Sequence, residues 1–168
     1  MPSNLKFARP TTDFAREGLF NILNSRIEWE GMDILDLYSG SGALAFEFLS
    51  RGVSSAVAVD NNIESVKFLS ETKKKWEVDN LEVIKSDALR YLEKCHSTFD
   101  LIFADPPYQS EDYFDILKLV FERNLLKEHG FLILEHEKRR SFEKEESFQF
   151  NRAFGNVNFS IFSPIKSI

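Results

Sequence analysis

Asp33-Ile-Leu-Asp36-Leu-Tyr38-Ser39-Gly40-Ser41-Gly42-Ala43-Leu-Ala45-Phe-Glu-Phe-Leu-Ser50 is a short apolar run, a glycine pair, and then apolar residues at helical spacing. It reads as strand, tight loop and helix. Glycines are needed where backbone turns sharply and approaches a ligand with no Cβ in the way, and the helix start behind them offers free N–H groups. Gly40-x-Gly42-x-x-Ala45 also fits the G-x-G-x-x-A fingerprint, and Asp60 follows Gly40 by twenty residues. An acid at that place accepts hydrogen bonds from ribose hydroxyls. The loop therefore points to a nucleoside-bearing cofactor, and taken alone it suits a nicotinamide dinucleotide or S-adenosylmethionine equally.

Outward from this loop the chain alternates short β-rich runs with helical patterns, which is the mark of βαβ units on a parallel sheet. Strands are expected at Asp33–Tyr38, Ser55–Asp60, Leu81–Lys85, Phe99–Ala104 and Phe131–His136, with helices at Gly42–Arg51, Ile63–Trp76, Ala88–Lys94 and Asp112–Asn124. Ahead of them Phe14, Ala15, Leu19, Phe20, Ile22, Leu23 and Ile27 trace one helical face, with Thr12 a candidate N-cap. A charged stretch, Glu135–Glu146, leads into Phe148–Phe154 and Val157–Phe162, split by Gly155-Asn156 as a terminal hairpin. The fold expected is α/β: Rossmann-like, doubly wound, with a mostly parallel seven-stranded sheet, a C-terminal antiparallel hairpin and an extra N-terminal helix. One domain over 1–168 is expected, with 1–27 as an N-terminal element and helix and 33–162 as the core.

Composition narrows the function classes. At 168 residues the chain can bury a core without disulfides or metals, and its single Cys95 reads as a small packing residue. The three histidines show no metal-ligand spacing, so no metal site is expected. No apolar run reaches the roughly 18 residues of a membrane span and the start has no signal-peptide pattern, so a cytoplasmic protein with no membrane contact is expected. A net charge of −6 argues against free nucleic-acid binding, although residues 1–26 carry four basic residues against two acids. Lys73–Lys75 and Lys138–Arg140 read as solvated charge runs, because acids flank both.

Three acids end three successive strands: Asp36, Asp60 and Asp87. All would border the crevice where open α/β sheets bind ligands. Asp36 beside a glycine loop is unhelpful to a pyrophosphate but useful to a sulfonium or an amino group. Asp60 and Asp87 taken singly are equally well explained as helix caps. The sharpest signal is Asp105-Pro106-Pro107-Tyr108 after the fourth strand. Two prolines fix the backbone and remove two N–H donors, so the loop presents the Asp105 carboxylate and the Pro106 carbonyl as acceptors. Tyr108 adds a ring on which a flat group can stack. Acceptors and a stacking ring suit an exocyclic amino group on a base.

The order of glycine loop, acid, Ser86-Asp87 and D-P-P-Y resembles the class I, Rossmann-like S-adenosylmethionine-dependent methyltransferases that methylate amino groups. Arg9-Pro-Thr11-Thr12-Asp13-x-x-Arg16 is similar to the R-P-T element of the RsmD family, which methylates the N2 amine of a guanine in 16S ribosomal RNA. That resemblance implies S-adenosylmethionine held by Asp36, Tyr38, Ser39, Gly40, Ser41, Gly42, Asp60, Asn61, Asp87 and Ala88. It implies catalysis at Asp105, Pro106, Pro107 and Tyr108, and substrate binding by Arg9, Thr11, Thr12, Arg16 and Tyr108. It further implies a monomer whose partner is ribosomal RNA, within the small subunit or an assembly intermediate. Family members usually carry a basic hairpin ahead of the R-P-T element, whereas eight residues precede Arg9, so weak binding of free RNA is expected. Other readings compatible with parts of the pattern are DNA adenine or cytosine amino methylation, protein glutamine methylation, a nicotinamide-dependent oxidoreductase and a non-catalytic RNA-assembly module.

Overall fold

The computed structural model describes residues 12–164. In chain order its elements are α1 (Asp13–Asn24), β1 (Asp33–Leu37), α2 (Ala43–Ser50), β2 (Ser55–Asp60), α3 (Ile63–Lys75) and β3 (Leu81–Lys85). They continue with α4 (Ala88–Lys94), β4 (Phe99–Ala104), α5 (Asp112–Glu122), β5 (Leu126–Glu137), β6 (Phe148–Phe154) and β7 (Val157–Phe162). The strand order is β3-β2-β1-β4-β5-β7-β6; β1 to β5 run parallel, and β7 and β6 are antiparallel additions.

Both faces of the sheet are covered, which is why the central strands are almost continuously apolar. Ile34, Ala56, Leu101, Phe103, Ile133 and Phe159 face α1, α2 and α3. Leu35, Leu37, Ile102, Ala104, Leu134 and Phe162 face α4 and α5. Helix α1 starts as its sequence dictates: Thr12 is extended, and its side chain accepts from the Ala15 amide at 3.2 Å. Ala15, Leu19, Phe20 and Leu23 are buried beneath it. Gly18 lets α1 settle against the hairpin, because a Cβ there would collide with the Phe154 ring.

Strand β5 begins earlier than the sequence suggests. Leu126 pairs with Phe99, and the register then jumps so that Phe131 pairs with Leu101. Between them, Lys127 donates to Asp33 at 2.7 Å and to Asp100 at 3.0 Å, tying the bulge to the amino-terminal end of the sheet. A Cβ on Gly130 would stand 2.9 Å from the Phe99 carbonyl oxygen, so this irregular crossing needs glycine. The charged residues 127–129 hid the strand.

Candidate active site

The sheet order reverses between β1 and β4, and Leu37 pairs with Ala104. The chain therefore leaves β1 at Tyr38 and β4 at Asp105 side by side, at the switch point where open α/β sheets form their crevice.

The glycine loop is bound to the next strand. Ser39 donates its amide to Val59 at 3.0 Å, and Gly42 donates to Ser39 at 2.8 Å. Gly40 donates to Asp60 Oδ2 at 2.9 Å, while Asp60 Oδ1 accepts from the Asn62 amide at 2.9 Å. Asp60 thus holds the loop itself, and the cap of α3 is Asn62, which accepts from Glu64 at 2.8 Å. Gly40 and Gly42 have φ of 54° and 80°, conformations that favour glycine. No side chain caps α2 at Gly42, which leaves the start of that helix open towards the loop. Asn61 is exposed, and Ser41 and Ala88 are buried.

Asp36 is 2% exposed, and its Oδ2 has no hydrogen-bond partner among the described residues. Burial pushes its pKa well above the usual carboxylate range, and the nearby charges of Asp60 and Glu135 push the same way. A hydrogen bond from the Ala45 amide opposes them. Asp87 is the N-cap of α4, accepting from Arg90 at 3.0 Å; the capping explanation of this acid is therefore realised, with its second oxygen left to other partners.

In the D-P-P-Y loop Pro106 is buried, Pro107 exposed, and Asp105 and Tyr108 half-buried. The Pro107 carbonyl accepts from Ser110 at 2.8 Å, closing the turn before α5. The Pro106 carbonyl accepts from the Tyr113 hydroxyl at 3.3 Å, so one of its two lone-pair directions is taken. Tyr38, with φ of 59°, donates its hydroxyl to Asp112 Oδ2 at 2.8 Å. Its pKa is driven far upward by burial and by that carboxylate, so it acts as a donor at all ordinary pH.

The N-terminal residues divide. Arg9 and Thr11 lie outside the described residues. Thr12 is the cap of α1, and Arg16 is ion-paired with Asp13 at 2.8 Å. The Phe14 ring meets Phe154 edge-on at 5.9 Å, and Val157 pairs with Glu137, so the first turn of α1 stands on the carboxyl-end side of β5.

Several site residues escaped the sequence reading. Glu135 is fully buried at the end of β5, although it opens what looked like a surface charge run. Arg140 is no solvated charge, since its guanidinium lies 4.5 Å from the centre of the Tyr113 ring. His136 is buried and shares a 2.6 Å hydrogen bond with Ser160. A usable signal for Glu135 existed: it directly follows an apolar run in a strand buried on both faces.

Comparison with known proteins places these features in context. Residues 1–163 match the family described as Conserved hypothetical protein 95. A Ribosomal RNA small subunit methyltransferase D of Buchnera aphidicola (subspecies Baizongia pistaciae) is 34% identical over 135 residues, spanning 80% of this chain and 68% of that protein. Its namesake in Buchnera aphidicola (subspecies Acyrthosiphon pisum) is 30% identical over 139 residues, spanning 82% and 72%. Among solved structures, Escherichia coli yhhF, carried under a provisional methyltransferase description, is 25% identical with a TM-score of 0.82. That alignment covers 94% of this chain and 88% of the other.

Proposed function

Because this chain belongs to the family described as Conserved hypothetical protein 95 and is a methyltransferase, as its relatives are, we propose that it methylates the exocyclic N2 amine of a guanine in small-subunit ribosomal RNA. The methyl donor in this reading is S-adenosylmethionine. The observation that carries the reading is the pairing of Leu37 with Ala104, which sets a glycine loop with a buried acid next to a loop of fixed acceptors.

The residues present fit the cofactor. Asp36 offers a buried carboxylate oxygen with no partner among the described residues, which suits a cationic ligand far better than a pyrophosphate. Gly42 has a positive φ, and a Cβ on it would run into the core side chains Leu69 and Phe46, so the tight turn from the loop into α2 needs glycine. Asp36, the 38–42 loop and Asp60 would hold the cofactor, with Asp87 and Ala88 at the end of β3 as the adenine edge. Bound there, the cofactor supplies an activated methyl group on a sulfonium.

The chain's own task is to make a poor nucleophile attack. The N2 lone pair of guanine is delocalised into the ring, and hydrogen bonds accepted from the amine favour its localisation on nitrogen. Asp105 and the free lone pair of the Pro106 carbonyl are the acceptors, and Asp105 stabilises the positive charge that develops as the N–C bond forms. Asp105 is also the group placed to hold the proton that nitrogen loses. Tyr108 stacks on the extruded base, and holding the amine in line supplies the remaining acceleration through positioning.

The test is transfer of label from tritiated S-adenosylmethionine to small ribosomal subunits from cells lacking this gene. Label in the small-subunit RNA is expected. Label confined to ribosomal protein, or no label in the subunit, would overturn the substrate assignment.

A further inference from the structure

The first turn of α5 touches both halves of the site. Asp112 accepts from the Tyr38 hydroxyl at 2.8 Å, across 74 residues of sequence. Its neighbour Tyr113 donates to the Pro106 carbonyl at 3.3 Å. Asp112 is itself held, its amide donating to Ser110 Oγ at 3.0 Å, whereas the nominal cap residue Glu111 makes no side-chain cap bond. One helical turn therefore bonds to the loop that follows β1 and to the loop that follows β4.

Packing alone does not call for these hydroxyls. The Tyr113 ring is fully buried between Phe142 at 5.8 Å, His136 edge-on at 6.5 Å and the Arg140 guanidinium at 4.5 Å. Phenylalanine would fill the same space; the hydroxyl adds the bond to Pro106. Tyr38 likewise turns its hydroxyl away from the glycine loop and towards α5, on a backbone at φ 59° that non-glycine residues seldom adopt. A buried donor that finds a single partner fixes that partner's position.

We propose that Asp112 and Tyr113 form a positioning clasp, which sets the distance and angle between the donor loop at Tyr38–Gly42 and the acceptor loop at Asp105–Tyr108. The proposal rests on the methyl-transfer reading above and deepens it. Neither residue touches reacting atoms. Tyr113 orients the Pro106 carbonyl so that its second lone pair faces the incoming amine, and Asp112 holds the donor loop at a matching height. In-line transfer is sensitive to such placement, since a misplacement of about 1 Å costs on the order of 100-fold in rate.

The experiment compares wild type with Tyr38→Phe, Tyr113→Phe, the double variant, Asp112→Ala and Asp112→Asn, at saturating methyl donor and with small subunits as acceptor. Tyr113→Phe is expected to lower kcat about tenfold while S-adenosylhomocysteine affinity stays within about twofold, as a geometric rather than a binding effect requires. Tyr38→Phe is expected to do the same, and the double variant should fall little further, because breaking either end opens one device. Asp112→Asn, which keeps an acceptor oxygen, should retain kcat where Asp112→Ala loses it. Unchanged kcat in both tyrosine variants, or losses that simply multiply in the double variant, would overturn the clasp. Loss of melting temperature with kcat intact would mark the two hydroxyls as structural only. If wild type transfers no methyl group to small-subunit RNA, the underlying reading has failed and the clasp is judged by hydrogen exchange. Amides 108–111 should then exchange faster in Tyr38→Phe, and unchanged exchange would overturn the clasp.

Discussion

Asp60 accepts a 2.9 Å hydrogen bond from the amide of Gly40, so the acid twenty residues beyond the glycine loop is the part that shapes it. Its other oxygen is held by the Asn62 amide, which leaves both oxygens oriented, each with one further lone-pair direction. Asp60→Ala removes a ribose acceptor and releases the loop together. S-adenosylhomocysteine affinity, read by calorimetry, is expected to fall by roughly 10- to 100-fold, the equivalent of about 1.5–3 kcal/mol for hydrogen bonds to a charged group.

Asp36 leads to a pH effect. Its native pKa is raised by burial first and by Asp60 second, so the folded protein holds a proton that the unfolded chain has released. Stability is therefore drawn down as pH rises from 3.8 towards the raised native value. A cation bound beside Asp36 favours the carboxylate and expels that proton. In this pH window S-adenosylmethionine is expected to bind with proton release and to gain affinity as pH rises. Calorimetry in buffers of different ionisation enthalpy reads the effect, which Asp36→Asn should abolish.

Gly42→Ala tests the turn from the glycine loop into α2. The substitution forces a side chain onto φ +80° and drives its Cβ into Leu69. A stability loss of about 1–3 kcal/mol by urea denaturation is expected from the strained backbone alone, accompanied by weaker cofactor binding. Wild-type stability and affinity in this variant would show that the loop tolerates a side chain.

His136 should dominate part of the acid limb of stability. Burial holds its pKa below 6.5, the Arg140 charge acts in the same direction, and the hydrogen bond with the Glu137 carbonyl opposes them. As pH falls below 6.5, the unfolded chain takes up a proton that the native state refuses, so stability declines towards the native pKa. One such proton gives at most about 1.4 kcal/mol per pH unit, and His136→Asn is expected to lose that slope in urea unfolding across this range.

The parts of the molecule that a short segment determines were readable from sequence. Thr12 caps α1, the glycine pair opens α2, and Asp105-Pro-Pro-Tyr108 ends a buried strand, because in each case the physics lies within a few residues. What sequence did not show depends on partners brought in from afar. Lys127 belongs to a bulged strand because Asp33 and Asp100 meet it there, and Arg140 leaves the solvent because Tyr113 offers it a ring face. Asp87 could be read from sequence as a cap or as a ligand contact, and the amide of Arg90 on one of its oxygens supplies the capping role. The net charge of −6 argued against nucleic acid, yet part of that acid is the cluster of Asp36, Asp60 and Glu135 at the carboxyl ends of the strands.

Asp105 carries the chemistry in this account, and its removal should separate transfer from binding. Asp105→Ala is expected to lower methyl transfer by on the order of 100-fold or more while S-adenosylhomocysteine affinity stays near that of wild type. Turnover close to wild type would move the catalytic role elsewhere.

Nucleoside analysis of small-subunit RNA, methylated by the purified protein and digested to single nucleosides, is the most direct measurement. N2-methylguanosine at one position, present with wild type and absent with Asp105→Ala, is the expected result. A methyl group on an adenine or cytosine amine instead, or no methylated nucleoside added by wild type, would contradict the assignment of this site to guanine N2.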